Sequence, residues 1–247
     1  MKRRWLRNSL LLFLLLAAGI FLGEKAQSIS DTYRVLPGTG LENTVTVKKG
    51  KKEGALVYIV AGIHGDESAG WMAAERLKKL RPKSGTVYLL SPANRYGAEH
   101  DQRLTKEKRD LNRNFPGDPE GCDAEQIAAA IYADIREKQP DLVLDLHEAV
   151  SGTEGKDALG NSIICQSMEK SGDLVLEILT ESELGTFGEV PFTLYGSPPP
   201  GSINRVVTEE LGIPVITVET CREEELECRI KKQLAIAGFI LKYLGIQ

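Results

Sequence analysis

The chain has 247 residues, 42% of them hydrophobic and 27% charged, with 24 Gly and 11 Pro. That composition excludes a disordered tail, a collagen-like repeat and a coiled coil, and the length suits one domain with a sizeable core. The formal charge of −4, from 31 Lys and Arg against 35 Asp and Glu, leaves no basic excess for a nucleic-acid partner.

Lys2, Arg3, Arg4 and Arg7 precede an unbroken apolar run over residues 10–22, and a polar stretch follows over 23–30. A basic start, a short apolar segment and small polar residues are the layout of a secretory signal peptide. The run is shorter than the ~20 residues of a spanning helix. It reads either as a cleaved signal peptide or as an N-terminal membrane anchor through residues 10–22. Having no polar face, it does not read as a buried helix of the fold. Residues 1–30 are therefore a leader, and residues 31–247 an exported domain, secreted or membrane-anchored outside the cytoplasm.

Residues 55–61 (ALVYIVA) are apolar and rich in strand formers, then break at Gly62, which predicts a buried strand. Helical spacing follows over 66–80, with Met72, Ala73, Leu77 and Leu80 on one face. A second strand is expected over 86–90, then a polar, Arg-rich loop as far as Pro119. Residues 124–138 predict a helix, opened by acidic and closed by basic side chains. A third strand spans 141–147 (DLVLDLH). Short strands at 162–165 and 191–195 flank a helix over 173–183. Beyond a proline loop at 196–202, a helix is expected over 204–211 and a strong strand over 213–220. A closing amphipathic helix covers 223–244, with Ile230, Leu234, Ala237 and Leu241 on its apolar side. Strands alternating with helices predict a single α/β domain, a mixed, mostly parallel twisted sheet with helices on both faces. Ligands in such sheets bind at the carboxyl ends of strands, where His64, His147 and Glu219 fall.

The segment Gly62-Ile63-His64-Gly65-Asp66-Glu67 sets a His and a Glu three residues apart at a strand-to-helix corner. Alone, His-x-x-Glu arises often by chance. Joined by His147, it makes two imidazoles and a carboxylate, the ligand set of a catalytic zinc site with one open position. One Zn2+ per chain is expected on His64, Glu67 and His147. His100, between Glu99 and Asp101, has no ligand spacing around it and is expected to face solvent. The four cysteines, Cys122, Cys165, Cys221 and Cys228, allow three pairings, among which the sequence does not choose. Buried thiols are the default expectation for all four.

Arg109-Asp110-Leu111-Asn112-Arg113-Asn114-Phe115-Pro116-Gly117 is the most specific segment. With Gly-Ile-His-Gly-Asp-Glu upstream, Asp-Leu-His downstream and Thr-Val-Glu near the end, the chain resembles the zinc carboxypeptidase superfamily. That superfamily includes the succinylglutamate desuccinylase and aspartoacylase branch. The resemblance covers about residues 55 to 245 and implies the zinc carboxypeptidase (phosphorylase/hydrolase-like) fold. It also implies that His64, Glu67 and His147 bind zinc, and that Asn112 and Arg113 grip the substrate's terminal carboxylate. Arg103 would polarise the scissile carbonyl, with Arg109 a nearby competitor for that alignment, and Asp110 would orient the first zinc histidine. These roles suit the residue types. A guanidinium matches a carboxylate through two parallel hydrogen bonds, and a metal-bound imidazole usually donates its other N–H to a carboxylate.

Glu219 ends an apolar strand, where a carboxylate is costly without a partner or a task. In the resembled family it is the general base, moving a proton from a zinc-activated water to the leaving amine. Glu148 is a rival, but on an extended strand it points away from His147. Tyr195 precedes Glu219 by a distance similar to that of the mobile tyrosine of pancreatic-type enzymes. Arg205 either lines a side-chain pocket that favours acidic substrates or lies on a helix surface.

The first expectation is an exported zinc metallocarboxypeptidase that releases a C-terminal residue from a peptide, cell-wall peptides included. The alternative is an N-acyl amino acid deacylase of the desuccinylase/aspartoacylase type. Against the alternative stand the leader and the short stretch after Glu219, about one helix, where that branch typically carries a further β domain. A non-catalytic binder of metal or peptide ends is the rival from outside the enzymes.

Overall fold

The computed structural model describes residues 29–150 and 159–247, so the leader lies almost wholly outside the described residues. In chain order the elements are β1 (Ile29–Val35), β2 (Asn43–Lys49), β3 (Lys52–Ala61), α1 (Ser68–Leu77), β4 (Ser84–Leu90) and α2 (Arg95–Glu99). There follow α3 (Asp123–Lys138), β5 (Leu142–Ala149), β6 (Ser162–Ile164), α4 (Met168–Glu183), β7 (Thr193–Tyr195), α5 (Ile203–Val206), β8 (Val215–Cys221) and α6 (Leu226–Tyr243). A 3-10 turn covers Leu111–Arg113, and a π turn, Val207–Leu211, prolongs α5. Among the described residues no helix is long and apolar enough to cross a membrane.

The eight strands form one sheet in the order β1-β2-β4-β3-β5-β8-β6-β7. The centre is parallel, β4 with β3, β3 with β5, and β5 with β8. Antiparallel β1 and β2 extend one edge, and β6 joins β8 antiparallel at the other. The domain is thus α/β with a mixed, mostly parallel sheet, as its strand and helix alternation predicts.

Strand alternation sorts the core into two layers. Val57, Ile59, Leu142, Leu144, Leu146, Ile216 and Val218 pack with residues of α1, α4 and α6 on one face. Tyr58, Val60, Val143 and Val215 pack with residues of α3 and α5 on the other. Burial on both faces explains why β3, β5 and β8 read as continuous apolar runs. On the second face the paired rows of β5 and β8 are Val143 with Val215, Asp145 with Thr217, and His147 with Glu219. The row therefore passes from apolar to polar toward the carboxyl ends of the strands. Helix α3 is tied to both the edge strand β1 and the central strand β3, since Asp134 Oδ2 accepts the hydroxyls of Tyr33 at 2.5 Å and Tyr58 at 2.6 Å.

Several details differ from the expectation. Strands β1 and β2 were not anticipated, and their sheet edge is antiparallel. Helix α1 starts at Ser68, leaving Asp66 and Glu67 in the preceding turn, and ends at Leu77, ahead of Pro82. The segment expected as one helix over 204–211 is a single α turn followed by a π turn. Cys165 is buried, but Cys122 is only partly so and Cys228 is exposed on α6, so burial does not hold for every thiol. His100 is exposed, its Nδ1 2.8 Å from the Tyr96 carbonyl oxygen.

Candidate active site

Strand β3 ends at Ala61, and Gly62 turns the chain with φ +70°, a left-handed conformation that suits glycine. The turn brings His64 and Glu67 across to β5. His64 Nδ1 lies 2.7 Å from Glu67 Oε1, and His147 Nδ1 lies 2.6 Å from Glu67 Oε2. One donor atom from each of His64, Glu67 and His147 falls within 4.8 Å of the others, and all three residues are buried. Two imidazole nitrogens and a carboxylate turned on one point are the donor chemistry of a divalent transition-metal site, and the residues present fit such an ion.

Each imidazole is held from behind. His64 Nε2 lies 3.0 Å from Asp110 Oδ1, and His147 Nε2 lies 3.1 Å from Asp145 Oδ1. Asp145 Oδ2 accepts the Thr217 hydroxyl at 3.1 Å, and Thr217 Oγ1 accepts Asn204 Nδ2 at 3.0 Å. Gln233 Nε2 of α6 donates to the His147 carbonyl at 2.7 Å. Burial pulls the His64 pKa down, but the Glu67 charge and the Asp110 hydrogen bond outweigh it and leave the imidazole above its usual range. Burial is likewise outweighed at His147, where the Asp145 and Glu67 charges hold the pKa well up. Glu67 is held well below the carboxylate range: burial raises it, but both imidazoles pull it down further. Asp110 is also lowered, because His64 and Arg103 overcome its partial burial.

Glu219 sits opposite His147 in the register and is 8% exposed. Its Oε2 is buried with no hydrogen-bond partner. Burial pushes its pKa up to about 8, with the Glu67 and Asp145 charges adding to the rise and both histidines opposing it. Glu148, one residue beyond His147, turns to the opposite face, as strand alternation requires.

A cavity of about 620 Å3 lies over this cluster, and Arg103, Asn112, Arg113, Tyr195 and Glu219 are among its lining residues. Arg103 donates to Glu67 Oε1 and to Asp110 Oδ2, both at 3.2 Å. Arg109 is exposed and does not line the cavity, which separates the two arginines that the sequence left in competition. The Asn112 Oδ1 accepts the Ile203 N–H at 3.0 Å, and its Nδ2 lies 3.5 Å from His147 Nε2. Arg113 is steadied by its hydrogen bond to the Asn112 carbonyl, at 2.8 Å. Tyr195 is 40% exposed on the outermost strand. Arg205 is not brought in. It pairs with Glu209 at 3.0 Å on its own helix, and the cavity residue from that turn is Asn204.

Two features of the site were not assigned from the sequence. Asp145 stands two residues before His147, and an Asp-x-His alternation on one strand face is the signal that marks it. Arg222 lines the cavity and is clamped by Asp66, through Oδ2 at 3.0 Å and the backbone carbonyl at 2.6 Å. No local motif announces that pair, which joins residues 156 apart.

Residues 53–235 match the profile of the succinylglutamate desuccinylase/aspartoacylase catalytic domain. The chain belongs to that family. Over 107 residues it is 36% identical to the N-alpha-acetyl-L-2,4-diaminobutyric acid deacetylase of Halomonas elongata, covering 42% of this chain and 31% of the deacetylase. The succinylglutamate desuccinylase/aspartoacylase structure from Rhodobacter sphaeroides superposes with a TM-score of 0.64 at 22% identity, over 89% of this chain and 66% of that one. A metallo-carboxypeptidase from Burkholderia cenocepacia gives 0.68 at 15% identity, over 87% and 64%. At such identities the structures establish a common fold. The chain spans about a third of the curated deacetylase and about two thirds of those two solved chains. Membership in the succinylglutamate desuccinylase/aspartoacylase family agrees with the resemblance drawn from the four sequence segments.

Proposed function

We propose that the protein is a zinc-dependent amide hydrolase that removes the acyl group from an N-acyl amino acid. The observation that carries this reading is the convergence of His64, Glu67 and His147 on one point, with the unpartnered carboxyl of Glu219 on the neighbouring strand. Family membership and the likeness to a deacetylase support the deacylase, which the sequence ranked second, over the carboxypeptidase.

A zinc ion held by His64, Glu67 and His147 would supply Lewis acidity, bringing the pKa of a water to about 7 and polarising the substrate carbonyl. Asp110, hydrogen-bonded to His64 Nε2, holds that imidazole with Nδ1 toward Glu67, and the Asp145 charge 3.1 Å from His147 Nε2 favours the same orientation of the second ring. Arg113 and the Asn112 amide receive the free carboxylate of the amino-acid half. Arg103, anchored by Glu67 and Asp110, presents fixed positive charge where the carbonyl oxygen gains negative charge. Glu219 takes the proton from the attacking water and returns it to the departing nitrogen. A carboxyl with a raised pKa is suited to both transfers near neutral pH.

The basic and apolar leader supports export, with the domain secreted or held at a membrane through residues 10–22. A carboxypeptidase acting on cell-wall or other peptides is the second reading. It is favoured by Tyr195, which lines the cavity from the outermost strand of the sheet, where a longer substrate meets no further strand among the described residues.

The test is to measure zinc content and products with the purified chain. Acyl release from N-acyl amino acids, abolished by a chelator and restored by zinc, is expected. Release of C-terminal residues from short peptides, peptidoglycan stems included, would shift the assignment to the second reading. Hydrolysis of neither substrate class would end the proposal.

A further inference from the structure

Glu148 is a buried acid beside the site that the proposed reaction does not use. Its side chain is fully buried on the face opposite His147. A buried carboxylate is costly unless paired and hydrogen-bonded, and here both oxygens are engaged. Oε1 accepts from the Arg229 guanidinium of α6, and Oε2 accepts the backbone N–H of Ala69 at 2.9 Å.

Ala69 lies in the first turn of α1. That turn carries no acidic residue, and its N-cap residue, Glu67, makes no side-chain cap. The first N–H groups of a helix lack partners within it and favour an anion. Glu148 supplies that anion from a different element. Helix and strand are pressed together at this point, since a Cβ on Gly70 would lie 2.6 Å from the Leu146 carbonyl oxygen. Glu148 also reaches Glu67 directly, its backbone N–H donating to Glu67 Oε2 at 3.0 Å. One residue thus meets both the helix that Glu67 precedes and the carboxylate of Glu67 itself.

We propose that Glu148, neutralised by Arg229, is a positioning residue that fixes the Glu67 carboxylate for metal binding by docking the start of α1 onto β5. The inference rests on reading His64, Glu67 and His147 as metal ligands.

The experiment is a double-mutant cycle on the full chain, with zinc affinity read by competition against a chromophoric chelator. Glu148→Ala is expected to weaken zinc binding about 10- to 100-fold, as partners that orient a ligand do. In a Glu67→Ala background the same change is expected to cost less than about threefold, because its effect passes through Glu67. Glu148→Gln keeps an acceptor for Ala69 and serves where the alanine variant does not fold. It should lose about 3- to 10-fold with Glu67 present and nothing measurable without it. Unchanged affinity in both Glu148 variants overturns the proposal. So does an equal loss in both Glu67 backgrounds, the signature of a general structural defect. Failure of the wild type to bind zinc overturns the metal-site reading and this inference together, so the wild-type titration tells the two failures apart.

Discussion

Replacing Glu219 by Gln should cut turnover sharply and stabilise the metal-free fold, because one buried ionisable carboxyl lies behind both effects. The carboxyl is pushed from 4.5 to about 8, first by burial and then by the Glu67 and Asp145 charges. Between those values the unfolded chain has released the proton while the folded chain retains it. Folding then takes up a proton, so this group's contribution falls as pH rises from about 4.5 and levels off above about 8. At about 1.4 kcal/mol per pKa unit, the opposition at pH 7 is roughly 3 kcal/mol, and at pH 5 less than about 1 kcal/mol. Gln has nearly the same shape and no charge to lose, so it removes the penalty. The assay is urea unfolding of the zinc-free wild type and Glu219→Gln at pH 5 and pH 8. The variant should gain stability over the wild type as pH rises, while its hydrolysis falls about 10²- to 10⁴-fold from loss of the general base. Wild-type turnover in the variant, or a stability difference that does not change with pH, would refute the reasoning.

Zinc affinity should fall with acidity, because both imidazoles hold protons above the usual histidine range in the metal-free chain and must release them to bind. Where both are protonated the loss approaches ~100-fold per pH unit, and chelator competition at pH 6 and pH 8 measures it. A flat profile contradicts the ligand assignment. Arg113→Ala should raise KM for a carboxylate-bearing substrate about 10- to 100-fold with a smaller effect on kcat, and Arg113→Lys should recover only part of the loss, because a point charge replaces a fork. Steady-state kinetics decide this, and an unaltered KM removes Arg113 from the substrate-binding set. Leu144 is fully buried between the helices of the first face, so Leu144→Ala should cost about 2–5 kcal/mol in urea unfolding. A cost under 1 kcal/mol would mean that this part of the core collapses into the gap.

The central sheet was legible because β3, β5 and β8 are buried on both faces and so carry long apolar runs. The edge was not. In β2 the alternation Thr44-Val45-Thr46-Val47 is short and polar on one side, and β1 is mostly exposed. Such strands are defined by the partners they meet, which a local window does not contain. At the site, His64, Glu67 and His147 could be found because each stands at a strand end or the turn after it, where an α/β sheet presents its ligands. Glu219 was found the same way, as a carboxylate at a strand end, and strand alternation turned Glu148 away; that Glu219 pairs with His147 is set by the register of β5 and β8, which the sequence does not contain. Arg222 could not be found, because its clamp on Asp66 exists only after α1 and β8 are packed. Arg205 shows the reverse case, a basic residue near the site in sequence whose i, i+4 partner Glu209 keeps it on its own helix.

The pairing of β5 with β8 has a consequence for how the protein loses activity. His147 faces Glu219 because Val143 faces Val215 and Asp145 faces Thr217, so one hydrogen-bond ladder sets both the fit of the interior and the distance between the proposed metal ligand and the proposed base. A one-residue slip would turn Leu142, Leu144 and Leu146 out of their layer at the same stroke as it parted the two groups. Dead enzyme with an intact interior is therefore not a product of sliding in this sheet, and inactivation on warming should coincide with collapse of the whole domain.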